Sequence, residues 1–129
     1  MIVDTSALVA VILREPGYDK LVGILSRDEF IAVSSATLTE AAIVLTVKLG
    51  VAGRSLLDAL IHEAGITVVP YGKDHWTLAA NAFVRFGKGR HPAKLNFGDC
   101  ITYAAAAASG EPLLYVGDDF GKTDLVTVN

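Results

Sequence analysis

The sequence contains a single cysteine, Cys100, among 129 residues. One thiol cannot form a disulfide within the chain, which suits the reducing cytoplasm. No apolar run approaches the roughly 20 residues that a membrane-spanning helix requires. The amino terminus lacks the basic segment that opens a secretory signal peptide. These absences predict a soluble, cytoplasmic protein with no membrane partner.

Several catalytic signatures are also missing. The glycines form no phosphate-binding fingerprint, and no nucleophile-elbow glycines flank Ser6. The histidines His62, His75 and His91 are scattered without metal-ligand spacing. His91 lies in a basic segment, where it could contact phosphate or simply lie at the surface. Cys100 is expected to pack in a helix interior.

An excess of positive charge is absent. The chain has 11 Lys and Arg against 14 Asp and Glu, which gives a net charge of -3 and a pI of about 5.5. Overall charge therefore gives no argument for nucleic-acid binding, which would need a local basic patch. Hydrophobic residues make up 52%, with a mean hydropathy of +0.46. This is more than a small monomer usually needs and indicates association with a partner.

Short apolar segments alternate with helical patterns along the chain. Strands are predicted at 1–4, 30–33, 66–69 and 113–116, with a short edge strand at 125–128. Helices are predicted at about 6–14, 18–26, 36–49, 53–64, 74–86 and 98–109. This alternation is typical of an α/β fold. We expect one domain, 1–129, with a mostly parallel sheet of four to five strands.

The opening segment reads Met1-Ile2-Val3-Asp4-Thr5-Ser6-Ala7-Leu8. An apolar strand runs straight into an aspartate, and two hydroxyl residues and a helical run follow. This pattern predicts that Asp4 lies at the carboxyl edge of the sheet, where open α/β sheets bind ligands and metals.

Four acidic positions share this context: Asp4, Glu40, Asp99 and the pair Asp118-Asp119. Each lies near the carboxyl end of a predicted strand or at a helix start. Carboxylates crowded at one edge would repel one another, and a divalent cation would remove that cost. Hard oxygen ligands suit Mg²⁺ or Mn²⁺. The sequence therefore predicts a metal site that supports phosphoryl chemistry.

Each acid taken alone also has an ordinary structural explanation. Asp4 could be an N-cap, and Asp99 could complement a helix dipole. Glu40 follows Thr37 at capping-box spacing. The acidic pair at 118–119 could be turn residues. The spacing of the acids does not distinguish the structural explanation from a metal site. The structural explanation, however, requires that each acid occupies this context by chance.

The segment from Trp76 to Gly98 contains no acid. Its four cations, which lie just before Asp99, are Arg85, Lys88, Arg90 and Lys94. Such a loop could bind the phosphates of a nucleic acid, or it could be a solvated surface loop. Supporting roles are expected for two residues: Ser6 could hydrogen-bond Asp4 or a water, and Asn96 could orient Asp99 or end the loop.

Four motifs in this order and at this chain length resemble the PIN-domain ribonucleases, specifically the virulence-associated protein C (VapC) toxins of bacterial toxin–antitoxin pairs. The first is the opening segment already quoted. The others are Ser34-Ser35-Ala36-Thr37-Leu38-Thr39-Glu40, Leu95-Asn96-Phe97-Gly98-Asp99-Cys100 and Tyr115-Val116-Gly117-Asp118-Asp119-Phe120, the last followed by Lys122-Thr123-Asp124.

The resemblance implies a three-layer α/β/α fold and an endoribonuclease that depends on Mg²⁺ or Mn²⁺. It implies metal binding by Asp4 and Asp99 and a catalytic acidic role for Glu40. The fourth acid is Asp119, before the phenylalanine, or Asp118. The serine or threonine of many relatives' fourth motif is replaced by Tyr115-Val116-Gly117.

The resemblance also implies RNA as substrate and a cognate antitoxin as partner. Antitoxin binding and homodimerisation are expected in the helical region 21–60. Two other classes of protein are alternatives. A phosphoacceptor signalling domain would need an acidic pair after the first strand and an acceptor aspartate after a central strand, yet the third predicted strand ends in Val69-Pro70. A catalytically silent partner-binding module would use every acid as a cap.

Overall fold

Four short strands form one sheet in the computed structural model, which describes residues 1–129. The strands are β1 (Ile2–Val3), β2 (Ala32–Ser34), β3 (Thr67–Val69) and β4 (Leu113–Leu114). They lie in the order β3-β2-β1-β4, and every neighbouring pair is parallel. All the carboxyl ends therefore meet at one edge of the sheet, as the alternating pattern predicted.

Six helices connect and cover the strands. They are α1 (Thr5–Ile12), α2 (Tyr18–Leu25), α3 (Ser35–Leu49), α4 (Val51–Glu63), α5 (His75–Phe86) and α6 (Phe97–Ser109), followed by a short 3₁₀ turn at Phe120–Lys122. All six helices were predicted, and their ends differ from the predicted ones by at most two residues.

Alternate strand residues face opposite layers of helices. Val3, Val33 and Leu114 belong to a core formed with α1–α4. Their neighbours Ile2 and Leu113 belong to a second core, formed with α5 and α6. Because successive strand side chains point to opposite faces, β1, β2 and β4 are buried on both sides, whereas the edge strand β3 is largely exposed. The result is the expected three-layer α/β/α arrangement.

Three strand predictions are corrected. The fourth strand ends at Leu114 rather than at Val116. Residues 125–128 do not form a fifth strand: they contribute a single parallel bridge, between Leu113 and Thr127. The second strand begins at Ala32 rather than at Phe30, whose side chain is exposed. An apolar pattern indicates a strand, but only the ladder of backbone hydrogen bonds decides where it begins and ends.

A left-handed glycine joins α3 to α4. Gly50 has a φ of 68°, a conformation that favours glycine because it lacks a Cβ. Three residues later, Gly53 lies so close to α3 that a Cβ would be 2.4 Å from the backbone oxygen of Leu45. These two glycines let the α3–α4 hairpin pack closely. None of the helices is both long enough and apolar enough to cross a membrane.

Candidate active site

Asp4 directly follows β1 and caps α1. Its Oδ2 accepts hydrogen bonds from the Ser6 backbone N–H at 3.0 Å and from the Ser6 hydroxyl at 2.6 Å. Its Oδ1 accepts a hydrogen bond from the Thr102 hydroxyl at 2.7 Å. Asp4 is only 5% exposed. It therefore serves as an N-cap and is also held by a residue of α6, so its orientation is fixed from two elements.

The Thr102 hydroxyl belongs to a buried pair. Its Oγ1 lies 3.1 Å from the Oγ1 of Thr37 on α3, and both threonines are almost completely buried. Buried polar groups are costly unless they are hydrogen-bonded. The pair thus links α3 and α6 to the Asp4 carboxylate.

Glu40 lies in the second turn of α3. The helix is capped by Ser34 and not by Thr37, so the capping-box explanation for Glu40 does not hold. Its Oε1 accepts a hydrogen bond from the Thr5 hydroxyl at 2.6 Å. Its Oε2 lies beside Gly98, where a Cβ would come within 2.2 Å of it. The glycine at 98 therefore leaves room for the Glu40 carboxylate next to α6.

Asp99 stands in the first turn of α6. It forms a capping box with Asn96: the Asn96 side chain accepts from the Asp99 N–H at 2.9 Å, and Asp99 Oδ2 accepts from the Asn96 N–H at 3.0 Å. Burial is the main cause that raises the pKa of Asp99 to about 6, against the lowering effect of the Asn96 hydrogen bond. Three other carboxylates, those of Asp4, Asp119 and Glu40, raise this pKa further.

Asp99 therefore lies close enough to three acids from distant parts of the chain to be affected by their charges. No cation compensates them, because the three ion pairs in the structure involve Glu111, Asp58 and Asp124 instead. Uncompensated like charges at one edge of the sheet are electrostatically unfavourable. The arrangement therefore favours a bound cation.

The two aspartates at 118–119 lie in different environments. Asp119 is half-buried and contributes to the raised pKa of Asp99. Asp118 is exposed and is not among the charges that affect Asp99. Asp124, a third acid nearby in sequence, is engaged by Arg85 at 3.2 Å and by the Tyr103 hydroxyl at 2.7 Å. Of the two aspartates, only Asp119 is close enough to raise the pKa of Asp99.

Ser6 connects the site to the last strand. Besides donating to Asp4, its hydroxyl accepts a hydrogen bond from the Val116 N–H at 2.9 Å. The segment at 115–117, which lacks a serine or threonine, therefore still contributes a backbone donor here.

The four cations of the basic segment are not equivalent. Arg85 is paired with Asp124 and lies over the Phe86 ring, with 4.6 Å between its guanidinium carbon and the ring centroid. Lys88, Arg90 and Lys94 are exposed and form no ion pair. His91 is half-buried, and its Nδ1 accepts from a backbone N–H, so it has a structural partner.

The carboxylates do not form a closed cage, since no group of three His, Cys, Asp or Glu side chains is spaced to hold a metal ion. The donor set nevertheless suits a hard divalent cation. Asp99 Oδ1 and Glu40 Oε2 accept no hydrogen bond, so both remain free to coordinate. Asp4, with three donors, is already oriented. The chemistry of the residues present therefore fits a divalent ion.

Three threonines of the site were not predicted as individual residues: Thr5, Thr37 and Thr102. Thr5 and Thr37 lie inside recognised motifs, which was the available signal. Thr102 lies in an alanine-rich helix three residues after Asp99, on the same helical face. Threonine there is a weaker helix former than alanine, and that was the only hint.

A family model described as the PIN domain matches residues 1–125. The chain therefore belongs to the PIN-domain family. It is 42% identical over 129 residues to Ribonuclease VapC of Mycolicibacterium smegmatis, and all of each chain is covered. It is 45% identical over 126 residues to Ribonuclease VapC36 of Mycobacterium tuberculosis, covering 97% of this chain and 91% of that relative.

Solved structures share the fold. The sarcin-ricin loop cleaving toxin VapC20 of Mycobacterium tuberculosis superposes with a TM-score of 0.81 at 19% identity, covering 98% of this chain and 97% of that one. A chain of VapBC2 from Rickettsia felis, solved with a promoter DNA fragment, gives a TM-score of 0.78 at 18% identity, covering 99% and 96%. The family resemblance seen in the four motifs is confirmed. The two alternative classes, phosphoacceptor and silent module, are disfavoured.

Proposed function

We propose that this chain is a divalent-metal-dependent endoribonuclease that acts as the toxin of a type II toxin–antitoxin pair. The observation that supports the proposal is the proximity of the Asp4, Glu40 and Asp119 carboxylates to Asp99, with Asp4 held by Thr102 of α6 and Glu40 packed against Gly98, and with no cationic partner for any of the four. Full-length relatives named as VapC ribonucleases support the same conclusion.

Asp4 and Asp99 are assigned as metal ligands, with Glu40 and Asp119 completing the shell in part through water. Mg²⁺ or Mn²⁺ would supply charge neutralisation at the phosphodiester and acidify the attacking water. Glu40 has one oxygen that accepts a hydrogen bond from Thr5 and one that accepts none, and we assign it as the group that would accept the proton of that water. We assign Ser6 and Asn96 supporting roles, because the Ser6 hydroxyl donates to the Asp4 carboxylate and the Asn96 backbone N–H donates to the Asp99 carboxylate.

Isosteric removal of one charge tests this assignment. Asp4→Asn keeps the side-chain shape and should abolish RNA cleavage in Mn²⁺, because a metal ligand is removed. Asp74→Asn is the matched control, since Asp74 is exposed and its side chain makes no capping hydrogen bond. Circular dichroism checks that both variants fold. Undiminished, chelator-sensitive cleavage by Asp4→Asn would refute the assignment.

A second pair of variants tests the fourth acid. Asp119→Asn should reduce cleavage strongly, whereas Asp118→Asn should leave it close to wild type. The reverse result would assign the role to Asp118. Both substitutions remove one charge from the same loop, so the comparison isolates position from net charge.

The RNA backbone is assigned to the basic segment. Lys88, Arg90 and Lys94 are free to bind phosphates, while Arg85 would first have to leave Asp124. Replacing the three free cations by glutamate should weaken RNA binding and flatten the dependence of log K on log salt by roughly 0.7 for each phosphate that is no longer neutralised. The same reversal at the exposed Lys20 and Lys48 is the control. An unchanged slope would reject the basic segment as the RNA-binding surface.

A cognate antitoxin is the proposed protein partner. The α3–α4 hairpin presents a groove of about 590 Å³ bordered by the exposed apolar side chains of Ile43, Val47 and Val51. Exposed apolar surface of this kind marks a protein-binding site.

We assign the homodimer interface to the same helical region. Light scattering of the isolated chain tests this assignment, and a strict monomer at high concentration would count against dimerisation. We place the protein in the cytoplasm, where RNA is available.

A further inference from the structure

Three of the four exposed aromatic side chains line one cavity. Trp76 is 65% exposed, Phe83 40% and Phe97 76%, and all three border a cavity of about 330 Å³ together with Tyr71. The remaining exposed aromatic residue, Phe30, lies elsewhere. Every residue that lines this cavity is hydrophobic. We call it the aromatic slot.

The aromatic slot is continuous with the candidate active site. Phe97 and Ile101 line both the slot and a neighbouring cavity of about 260 Å³, whose wall includes Glu40 and Gly98. Phe97 is two residues from Asp99, in the same helical turn. An occupant of the slot would therefore lie beside the cavity that the Glu40 carboxylate borders.

A cationic side chain lies near one of the aromatic rings of the slot. The guanidinium carbon of Arg90 lies 5.9 Å from the centroid of the Phe83 ring, and Arg90 forms no ion pair. The slot thus has an apolar, aromatic interior, with a free guanidinium near one of its rings and the cavity that Glu40 borders next to it. By contrast, the α3–α4 groove is lined by aliphatic and polar residues without an aromatic ring, which suits the apolar face of a protein partner.

We propose that the aromatic slot binds an unstacked base of single-stranded RNA next to the cleaved phosphodiester, with Phe97 and Trp76 as stacking surfaces and Arg90 on the neighbouring phosphate. Bases stack on aromatic rings without sequence preference because every base has a π-face. RNA-binding proteins use this interaction for splayed-out nucleotides. The inference rests on the proposed ribonuclease function and adds the subsite that holds the substrate.

Trp76 is the only tryptophan, so its fluorescence reports on the slot directly. The wild-type protein is titrated in chelator, where no cleavage occurs, with a hexaribonucleotide and with an abasic hexamer of the same backbone. The base-bearing oligomer should quench Trp76, and the abasic oligomer should not. Equal effects of the two oligomers would overturn the inference.

Phe97→Ala should weaken binding of the base-bearing hexamer by at least about fivefold, the lower end of what removing a base–aromatic stack costs. Phe97→Tyr, which keeps the ring, should restore it. Phe30→Ala is the matched control and should bind like wild type. Since Phe97 is largely exposed, its replacement is compatible with folding. Wild-type affinity in Phe97→Ala would overturn the inference.

A second copy of the chain is the competing occupant. If Phe97→Ala turned a dimer into a monomer by light scattering while RNA affinity stayed unchanged, the slot would be a dimer interface and the inference would be wrong. These binding readouts are separate from catalysis. Absence of RNA cleavage by the wild type in Mn²⁺ would instead contradict the proposed function.

Discussion

The buried hydroxyl of Thr102 makes a sharp test of how the site is held together. Thr102 is fully buried, donates to Asp4 Oδ1 at 2.7 Å and lies 3.1 Å from the Thr37 hydroxyl. Thr102→Val keeps the branched shape of the side chain and replaces only the hydroxyl with a methyl group. The Asp4 oxygen and the Thr37 hydroxyl are then deprived of a partner inside the protein, where water cannot replace it.

The cost follows from the kind of bond that is removed. A hydrogen bond to a charged group contributes about 1.5–3 kcal/mol, and a buried acceptor left without a donor adds its desolvation. We expect the free energy of unfolding to fall by about 2–3 kcal/mol. For a chain of this length that lowers Tm by roughly 6–15 °C. Asp4 is also released from α6, so Mn²⁺ affinity should fall as well.

Urea denaturation and Mn²⁺ titration measure the two effects. Thr46→Val is the control, because Thr46 is exposed and its hydroxyl bonds only to a carbonyl of its own helix. That variant should stay within about 0.5 kcal/mol of wild type. Thr102→Ser, which keeps the donor, should recover most of the Mn²⁺ affinity. The reasoning fails if Thr102→Val matches Thr46→Val in both stability and Mn²⁺ affinity.

Three further predictions follow from single positions. In chelator, the urea midpoint should fall as pH rises from about 4 to about 6, because the raised pKa of Asp99 makes the folded state hold a proton that the unfolded state releases. The Asp99→Asn variant should not show this decline, and an identical decline in that variant would contradict the explanation. Gly53→Ala should lower the free energy of unfolding by about 1–3 kcal/mol through overpacking against α3, whereas Gly23→Ala, whose Cβ would meet only an Arg27 side-chain nitrogen at 3.9 Å, should raise it by up to about 1 kcal/mol in the same urea assay; equal effects would exclude the packing argument. Gly98→Ala should displace the Glu40 carboxylate and cost on the order of 100-fold in kcat while Tm changes little; unchanged kcat would show that Glu40 needs no fixed position.

Much of the site was predictable because its acids sit in local motifs. Asp4 follows a strand at the start of the chain. Asp99 lies in the first turn of a helix whose alanine residues favour helix formation. Their placement at one edge follows from parallel strands alone. The structural explanation was also partly right: Asp4 caps α1, and Asp99 lies in the first turn of α6, where it completes the capping box of Asn96.

The sequence by itself determined the alternation of strands and helices, the parallel sheet and the edge where the acids meet, because apolar periodicity and turn residues act locally. Only the tertiary structure separated Asp119 from Asp118 and paired Arg85 with Asp124. It alone joined Thr102 to Asp4, 98 residues apart. These contacts depend on which side chains face each other once the helices pack against the sheet, and a local sequence pattern does not specify which distant residues will meet.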